Sequence, residues 1–191
     1  VNKQNHATER AAVFFDRDGV LNRAVVRGGR PYPPASVADL EIVPDAFDAL
    51  TRLGDAGYCL VCVTNQPDVA RGVQQREVVD AINAEVRRRL PLDDFRVCYH
   101  DTTDGCDCRK PKPGMLIASA LECRLHLSTS VMVGDRWSDI EAGRRAGCRA
   151  VLLGDGYGEP NPWNAQPDAR AGSLAEVAAW ILGTEQRSQE I

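Results

Sequence analysis

Short apolar runs that end on a polar residue and alternate with helical patterns constrain this chain more than any other feature. Ala12–Phe15 (AVFF) reads as a buried strand ending at Asp16, Tyr58–Val63 as a second ending at Thr64, and Val131–Val133 as another ending at Gly134-Asp135. Arg96–His100 and Arg149–Leu153 read as further strands. Helical patterns lie between them. Asp45–Ala56 places Phe47, Leu50 and Leu53 on one face and stops at Gly57. Arg76–Leu90 repeats Val78, Val79, Ile82, Val86 and Leu90 at three- and four-residue spacings. Pro113 opens a helix running to about Arg124, because proline suits the first helical turn. Ser138–Ala146 is stopped by Gly147. Ser173 and Glu176 have capping-box spacing for a last helix to about Leu182. Nearly continuous apolar strands, each followed by a helix, mean a parallel sheet covered on both faces. The expectation is a Rossmann-like α/β fold. Arg23–Ser36 and Gly154–Asp168 read as loops, and Gly183–Ile191 as a frayed tail.

The length of 191 residues is that of one domain, expected to span the whole of 1–191. A chain of this size buries about 70% of its unfolded surface, so its core needs no disulfide staples. The net charge of −4 argues against a nucleic-acid partner held by bulk charge, but it leaves room for a small anion in a local basic pocket. No apolar run approaches the ~20 residues that span a bilayer, and VNKQNHATER lacks a signal peptide's apolar stretch. A cytoplasmic protein with no membrane partner is expected. With no coiled-coil or repeat signal, a monomer is expected. Cys59, Cys62, Cys123 and Cys148 stand singly in apolar or helical contexts and read as small buried hydrophobes.

In an open parallel sheet, ligands bind beyond the carboxyl ends of the strands. Three strand ends bring polar groups there: Asp16-Arg17-Asp18-Gly19, Thr64-Asn65-Gln66 and Gly134-Asp135-Arg136. Gathered carboxylates repel one another and cost several kcal/mol to desolvate unless a cation neutralises them. An all-oxygen set with few protein ligands suits Mg²⁺, which keeps waters and takes substrate phosphate. Cys98, His100, Cys106 and Cys108 read C-x-H-x5-C-x-C. Three thiolates and one imidazole make a closed tetrahedral set of the kind that holds structural Zn²⁺. Because Arg109-Lys110 follow directly, a Zn²⁺-pinned loop would position Lys110.

These residues also carry a resemblance. Phe14–Asn22 (FFDRDGVLN) resembles the first motif of the haloacid dehalogenase superfamily. Thr64-Asn65-Gln66 resembles its second, Lys110 its third, and Gly134-Asp135-Arg136-Trp137-Ser138-Asp139 its acidic fourth. The resemblance implies a phosphatase, a phosphoric monoester hydrolase. It puts Asp16 in the role of a nucleophile forming an aspartyl-phosphate, and Asp18 in that of the acid and base. It assigns Mg²⁺ to Asp16, the Asp18 carbonyl and Asp135, with Asp139 orienting the shell. Thr64 and Lys110 would hold phosphoryl oxygens, and Asn65 and Gln66 would contact substrate.

The Zn²⁺ loop narrows the resemblance to two related groups without a large cap domain. These are the phosphatases that release the 7-phosphate of D-glycero-D-manno-heptose 1,7-bisphosphate, on the route to nucleotide-activated heptose, and the histidinol-phosphatases. Thr64–Gly72 (TNQPDVARG) and Lys112–Leu116 are more similar to the first group. Charge points the same way. A bisphosphate sugar carries a second dianion that arginines would meet, and Arg27, Arg30, Arg71, Arg109 and Arg136 all fall in loops expected at the carboxyl edge. Histidinol phosphate would call for extra acids. Arg109 and Arg136 match substrate-contacting positions. The loop Arg23–Ser36 departs from the heptose pattern and is expected to cover the site in place of a cap.

Overall fold

The computed structural model describes residues 10–189, apart from the side chains of Arg30 and of residues 184–189. Six strands form one parallel sheet: β1 (Ala12–Phe15), β4 (Cys59–Asn65), β5 (Asp94–Cys98), β6 (Val131–Gly134), β7 (Arg149–Leu153) and β8 (Ala169–Ala171). Their order is β5-β4-β1-β6-β7-β8. A separate antiparallel hairpin joins β2 (Val25–Arg27) to β3 (Arg30–Tyr32). The helices are α1 (Ala46–Asp55), α2 (Arg76–Arg89), α3 (Gly114–Cys123), α4 (Trp137–Ala146) and α5 (Leu174–Gln189).

Strand alternation divides the core between two faces. Val13, Phe15, Leu60 and Cys62 join Leu50 and Leu53 of α1, Ile82 and Val86 of α2, and Val177 and Ile181 of α5 on one side. Phe14, Val61 and Val63 join Met115 and Leu116 of α3 on the other. This is the expected α/β sheet with helices on both faces, and among the described residues there is no large cap. Cys59, Cys62 and Cys148 are buried free thiols, while Cys123 is only half-buried.

Five local expectations change. Phe47 is 54% exposed, because the buried stripe of α1 runs through Ala46, Ala49, Leu50 and Leu53, one residue out of phase with it. β5 begins at Asp94 and leaves the sheet after Cys98, two residues earlier at each end than the sequence pattern suggests. The loop Arg23–Ser36 contains the β2–β3 hairpin. Its turn, Gly28-Gly29, has φ of +57° and +75°, the left-handed pair that a two-residue turn between right-twisting strands needs. The last helix continues through Gln189 where a tail from Gly183 was expected; residues 190 and 191 lie outside the described residues, as do 1–9. The capping box at its start is half formed. Ser173 Oγ accepts the Glu176 N–H at 3.2 Å, but the Glu176 carboxylate takes the N–H of Gly172, one residue further back.

Candidate active site

The chain builds the sheet outward from β1 through β4 and β5, then returns to the other side of β1 with β6, β7 and β8. A crevice opens at the carboxyl ends of the strands where the order reverses. Asp16 follows β1 and Asp135 follows β6, and these strands are neighbours. The Asp16 N–H donates to the Val133 carbonyl at 2.9 Å, continuing the ladder to the loop's first residue. Carboxylate oxygens of Asp16, Asp135 and Asp139 consequently lie within 4.8 Å of one another.

Lys110 enters this cluster with its side chain 2% exposed. Its ammonium lies 2.7 Å from Asp16 Oδ1, 2.7 Å from Asp139 Oδ1 and 2.8 Å from the Val63 carbonyl, which occupies all three N–H groups. Burial opposes the Lys110 charge, but Asp139 and Asp16 outweigh it and keep the amine protonated. One ammonium faces three carboxylates. Burial, with Asp139 and Asp18 adding to it against Lys110, pushes Asp16 up to about 6. Burial and then Asp16 and Asp139 push Asp135 well above the carboxylate range.

Asp135 Oδ2 accepts the Tyr157 hydroxyl at 2.7 Å, while its Oδ1 is buried with no hydrogen-bond partner among the described residues. Asp139 instead has both oxygens engaged, the second by the Arg136 N–H at 3.1 Å. An orphaned carboxylate oxygen in an electron-rich, all-oxygen cluster fits a hard divalent cation such as Mg²⁺. Asp16 and Asp135 could hold such an ion.

Motif residues from β4 lock the loops together. Asn65 accepts the Lys110 N–H and donates to the Lys110 carbonyl, both at 3.1 Å, so its amide clamps the backbone of Lys110. The Gln66 amide donates to Asp18 Oδ2 at 2.8 Å and to the buried Thr64 hydroxyl at 2.9 Å. The Gln66 N–H reaches the Cys98 carbonyl at 2.7 Å. Asn65 and Gln66 both line the cavity that Asp16 and Lys110 line. Asp18 is gripped by the neighbouring Arg17, a wholly buried guanidinium that the sequence pattern did not single out.

Cys98, His100, Cys106 and Cys108 converge as one cluster. All four ligand atoms lie within 4.8 Å of one another, and five of their six separations are Cys98–Cys108 3.1, His100–Cys108 3.3, Cys106–Cys108 3.5, Cys98–His100 3.6 and Cys98–Cys106 3.7 Å. Tetrahedral bonds of about 2.3 Å to sulfur imply ligand separations of about 3.8 Å, so the four side chains fit a closed zinc set. The loop is held from outside as well. Lys112 donates to the Cys106 carbonyl at 2.7 Å, and the Gly114 N–H to the Asp107 carbonyl at 3.1 Å. A Cβ on Gly114 would stand 2.3 Å from that same carbonyl, so only glycine lets α3 start there.

A cavity of about 160 Å³ is lined by Asp16, Asp18, Lys110 and Asp139 together with Pro31 and Tyr32 of the hairpin region. It adjoins one of about 460 Å³ that Arg109, Lys112, Arg136 and Trp163 line. The candidate arginines differ. Arg71 is paired with Asp101 at 2.6 Å, and Arg136 with Glu159 at 2.6 Å, the latter a carboxylate on the 154–168 loop. Arg109 donates to the His100 carbonyl at 3.3 Å, and Arg27 stacks over Tyr32 at 6.0 Å. The Arg30 side chain lies outside the described residues. Tyr157, Glu159 and Arg17 were not legible as site residues. A polar Asn83 within the apolar stripe of α2 was the one sequence signal for Arg17's surroundings.

The HAD-hydrolase-like family matches residues 107–177. The D-glycero-D-manno-heptose-1,7-bisphosphate 7-phosphatase of Thermosynechococcus vestitus is 35% identical over 193 residues, covering 90% of this chain and 95% of that protein. The D-glycero-beta-D-manno-heptose-1,7-bisphosphate 7-phosphatase of Pseudomonas aeruginosa is 34% identical over 183 residues, covering 91% and 98%. Among solved structures, the D,D-heptose 1,7-bisphosphate phosphatase of B. bronchiseptica, complexed with magnesium and phosphate, superposes with a TM-score of 0.74 at 28% identity, covering 91% of this chain and 99% of that one.

Proposed function

Because the chain belongs to the haloacid dehalogenase-like phosphatases, phosphoric monoester hydrolases of the heptose-bisphosphate phosphatase kind, we propose that it hydrolyses the 7-phosphate of D-glycero-D-manno-heptose 1,7-bisphosphate in an Mg²⁺-dependent reaction through an aspartyl-phosphate. The observation that carries this reading is the convergence of Asp16, Asp135 and Lys110 at the sheet's switch point, with Asp18 in the same cavity.

The Asp16 carboxylate attacks phosphorus, and the bond from phosphorus to the sugar oxygen breaks. Asp18 gives its proton to the departing alkoxide. Asp18 then takes a proton from water, whose oxygen attacks the aspartyl-phosphate, releasing inorganic phosphate and restoring Asp16. Asp16, Asp135 and the Asp18 carbonyl would hold Mg²⁺, which would supply neutralising charge to the phosphoryl group. Asp139 orients that shell and anchors Lys110. The Lys110 charge, its N–H groups held by Asp16, Asp139 and the Val63 carbonyl, and the Thr64 hydroxyl stabilise phosphoryl oxygens beside Asp16, while Asn65 and Gln66 hold these groups in register and line the substrate cavity. Arg109 and Arg136 face the distal phosphate. Cys98, His100, Cys106 and Cys108 would hold a structural Zn²⁺. The chain acts as one domain, a cytoplasmic monomer with a small phosphorylated sugar as its partner and neither nucleic acid nor membrane. Among the described residues no helix is long and apolar enough to cross a membrane.

The test is phosphate release with Mg²⁺ from both anomers of the heptose bisphosphate, from histidinol phosphate and from fructose 1,6-bisphosphate. Preference for a heptose anomer is expected. Preference for histidinol phosphate would overturn the substrate while leaving the chemistry. Asp16→Asn is expected to abolish turnover without lowering the melting temperature, and wild-type activity in that variant would remove Asp16 as the nucleophile.

A further inference from the structure

Arg17 stands between the two motif carboxylates in sequence, yet its guanidinium is wholly buried. Its Nη2 donates to Asp18 Oδ2 at 2.8 Å and Oδ1 at 3.0 Å, and its Nε donates to Oδ1 at 3.1 Å. Its remaining nitrogen, Nη1, donates to Asn83 Oδ1 on α2 at 2.5 Å. Asn83 is itself buried, and its Nδ2 has no partner among the described residues, so the amide is turned to serve the arginine. Asn22 Nδ2 at 3.0 Å and Gln66 Nε2 at 2.8 Å complete the ring of donors around the Asp18 carboxylate.

A buried ion pair is poor evidence for a stabilising role, since desolvation offsets much of the attraction and an apolar pair often serves as well. Position is what a fork with a fixed plane provides, because it holds both oxygens of a carboxylate at once. Proton transfer requires the acid within hydrogen-bond reach of the leaving oxygen, and geometry comes before acidity. Asp18 lies on a loop, whereas Asn83 lies on a helix packed into the core through Val79, Ile82 and Val86.

We propose that Arg17, braced by Asn83, is a positioning residue that transmits the placement of α2 to the Asp18 carboxyl and fixes it at the edge of the cavity that Asp16 and Lys110 line. This rests on the reading of Asp18 as the acid in the phosphatase reaction. Arg17 touches neither substrate nor phosphorus in this role.

A leaving group that needs no proton exposes the difference. p-Nitrophenolate departs unaided, while a sugar alkoxide must be protonated. The experiment compares kcat/KM, which reports the first phosphoryl transfer, for p-nitrophenyl phosphate and for the sugar bisphosphate, heptose or fructose, that the wild type hydrolyses faster. Arg17→Met, of similar volume, is expected to lose about 100-fold or more with the sugar phosphate, but less than about tenfold with p-nitrophenyl phosphate on the same scale. Arg17→Lys, which keeps the charge and loses the fork, should not restore the sugar-phosphate rate. Asn83→Ala, which leaves the ion pair in place, should show the same bias at smaller size and decides the matter if the Arg17 variants do not fold. Equal losses with both substrates, or no loss in a folded variant, would overturn the proposal. Asp18→Asn is run alongside. A bias there without one in the Arg17 and Asn83 variants refutes the positioning role alone. Its absence in Asp18→Asn refutes the acid assignment and this role with it.

Discussion

Asp135 shows how a single residue's chemistry depends on neighbours far along the chain. Tyr157 donates to its Oδ2 from the 154–168 loop, leaving Oδ1 as the buried oxygen without a partner among the described residues. Gly19 makes this possible: its φ is +90°, and a Cβ there would stand 1.7 Å from Asp135 Oδ2. The hydroxyl fixes which carboxylate oxygen is left for a cation, in the way that groups behind metal ligands generally orient them. Tyr157→Phe should therefore fold and weaken Mg²⁺ binding by about tenfold. The readout is the Mg²⁺ concentration needed for half of the metal-induced rise in melting temperature. An unchanged concentration would mean that Asp135 orients itself without help. Nothing in the sequence around Tyr157 marks it, because the pairing spans 22 residues and depends on where a glycine-rich loop folds back.

Among the elements, β5 and α3 are joined by charge as well as by apolar contact. Asp94 accepts the Phe95 N–H at 2.8 Å, Arg96 Nε at 2.6 Å and the Ser119 hydroxyl of α3 at 3.0 Å, and Arg96 reaches Glu122 of α3 at 2.6 Å. Burial would raise the Asp94 carboxyl, but Arg96, the Phe95 N–H and Ser119 outweigh it and hold it below its ordinary 3.8. A depressed carboxyl stabilises the fold above pH 3.8, and that contribution is lost as the pH falls through the lower folded value. Asp94→Asn is expected to cost about 1–2 kcal/mol at pH 7, which is about 2–8 °C for a domain of this size. The gap from the parent should narrow at pH 3. Melting curves at the two pH values check this, and a gap that is constant with pH would exclude the ionic contribution. The ends of this strand differ from the apolar pattern for a physical reason. Apolar character continues past Cys98 to Tyr99, but the chain must leave the ladder there for His100 to come back to within 3.6 Å of the Cys98 sulfur. The hairpin of residues 25–32 was hidden for a related reason. Its strands are three residues each and one contains Pro31, so the Gly-Gly turn was the main signal available.

For the molecule as a whole, two candidate metal sites are coupled through Lys110. Gln66 ties β4 to the Cys98 carbonyl, Asn65 clamps the Lys110 backbone, and the Lys110 ammonium ends between Asp16 and Asp139. If the Cys/His cluster holds this arrangement, Cys98→Ala should lose stoichiometric zinc, melt several degrees lower and turn over more slowly. Elemental analysis with parallel melting and activity measurements tests this, and full activity in a zinc-free variant would contradict it. The order of strands and helices, the polar residues at strand ends and the spacing of the Cys/His ligands were readable in the sequence, because periodicity and short spacing act over a few residues. The sequence also singled out Asp16, Asp18, Thr64, Lys110 and Asp135, and the structure gathers Asp16, Asp135 and Lys110 at one edge of the sheet. Which atom each one faces was decided only by the tertiary structure. The Arg17–Asn83, Asp135–Tyr157 and Arg136–Glu159 pairings join residues 66, 22 and 23 positions apart. Such partners depend on how helices seat on the sheet and how loops close over its edge, and no local pattern encodes those distances.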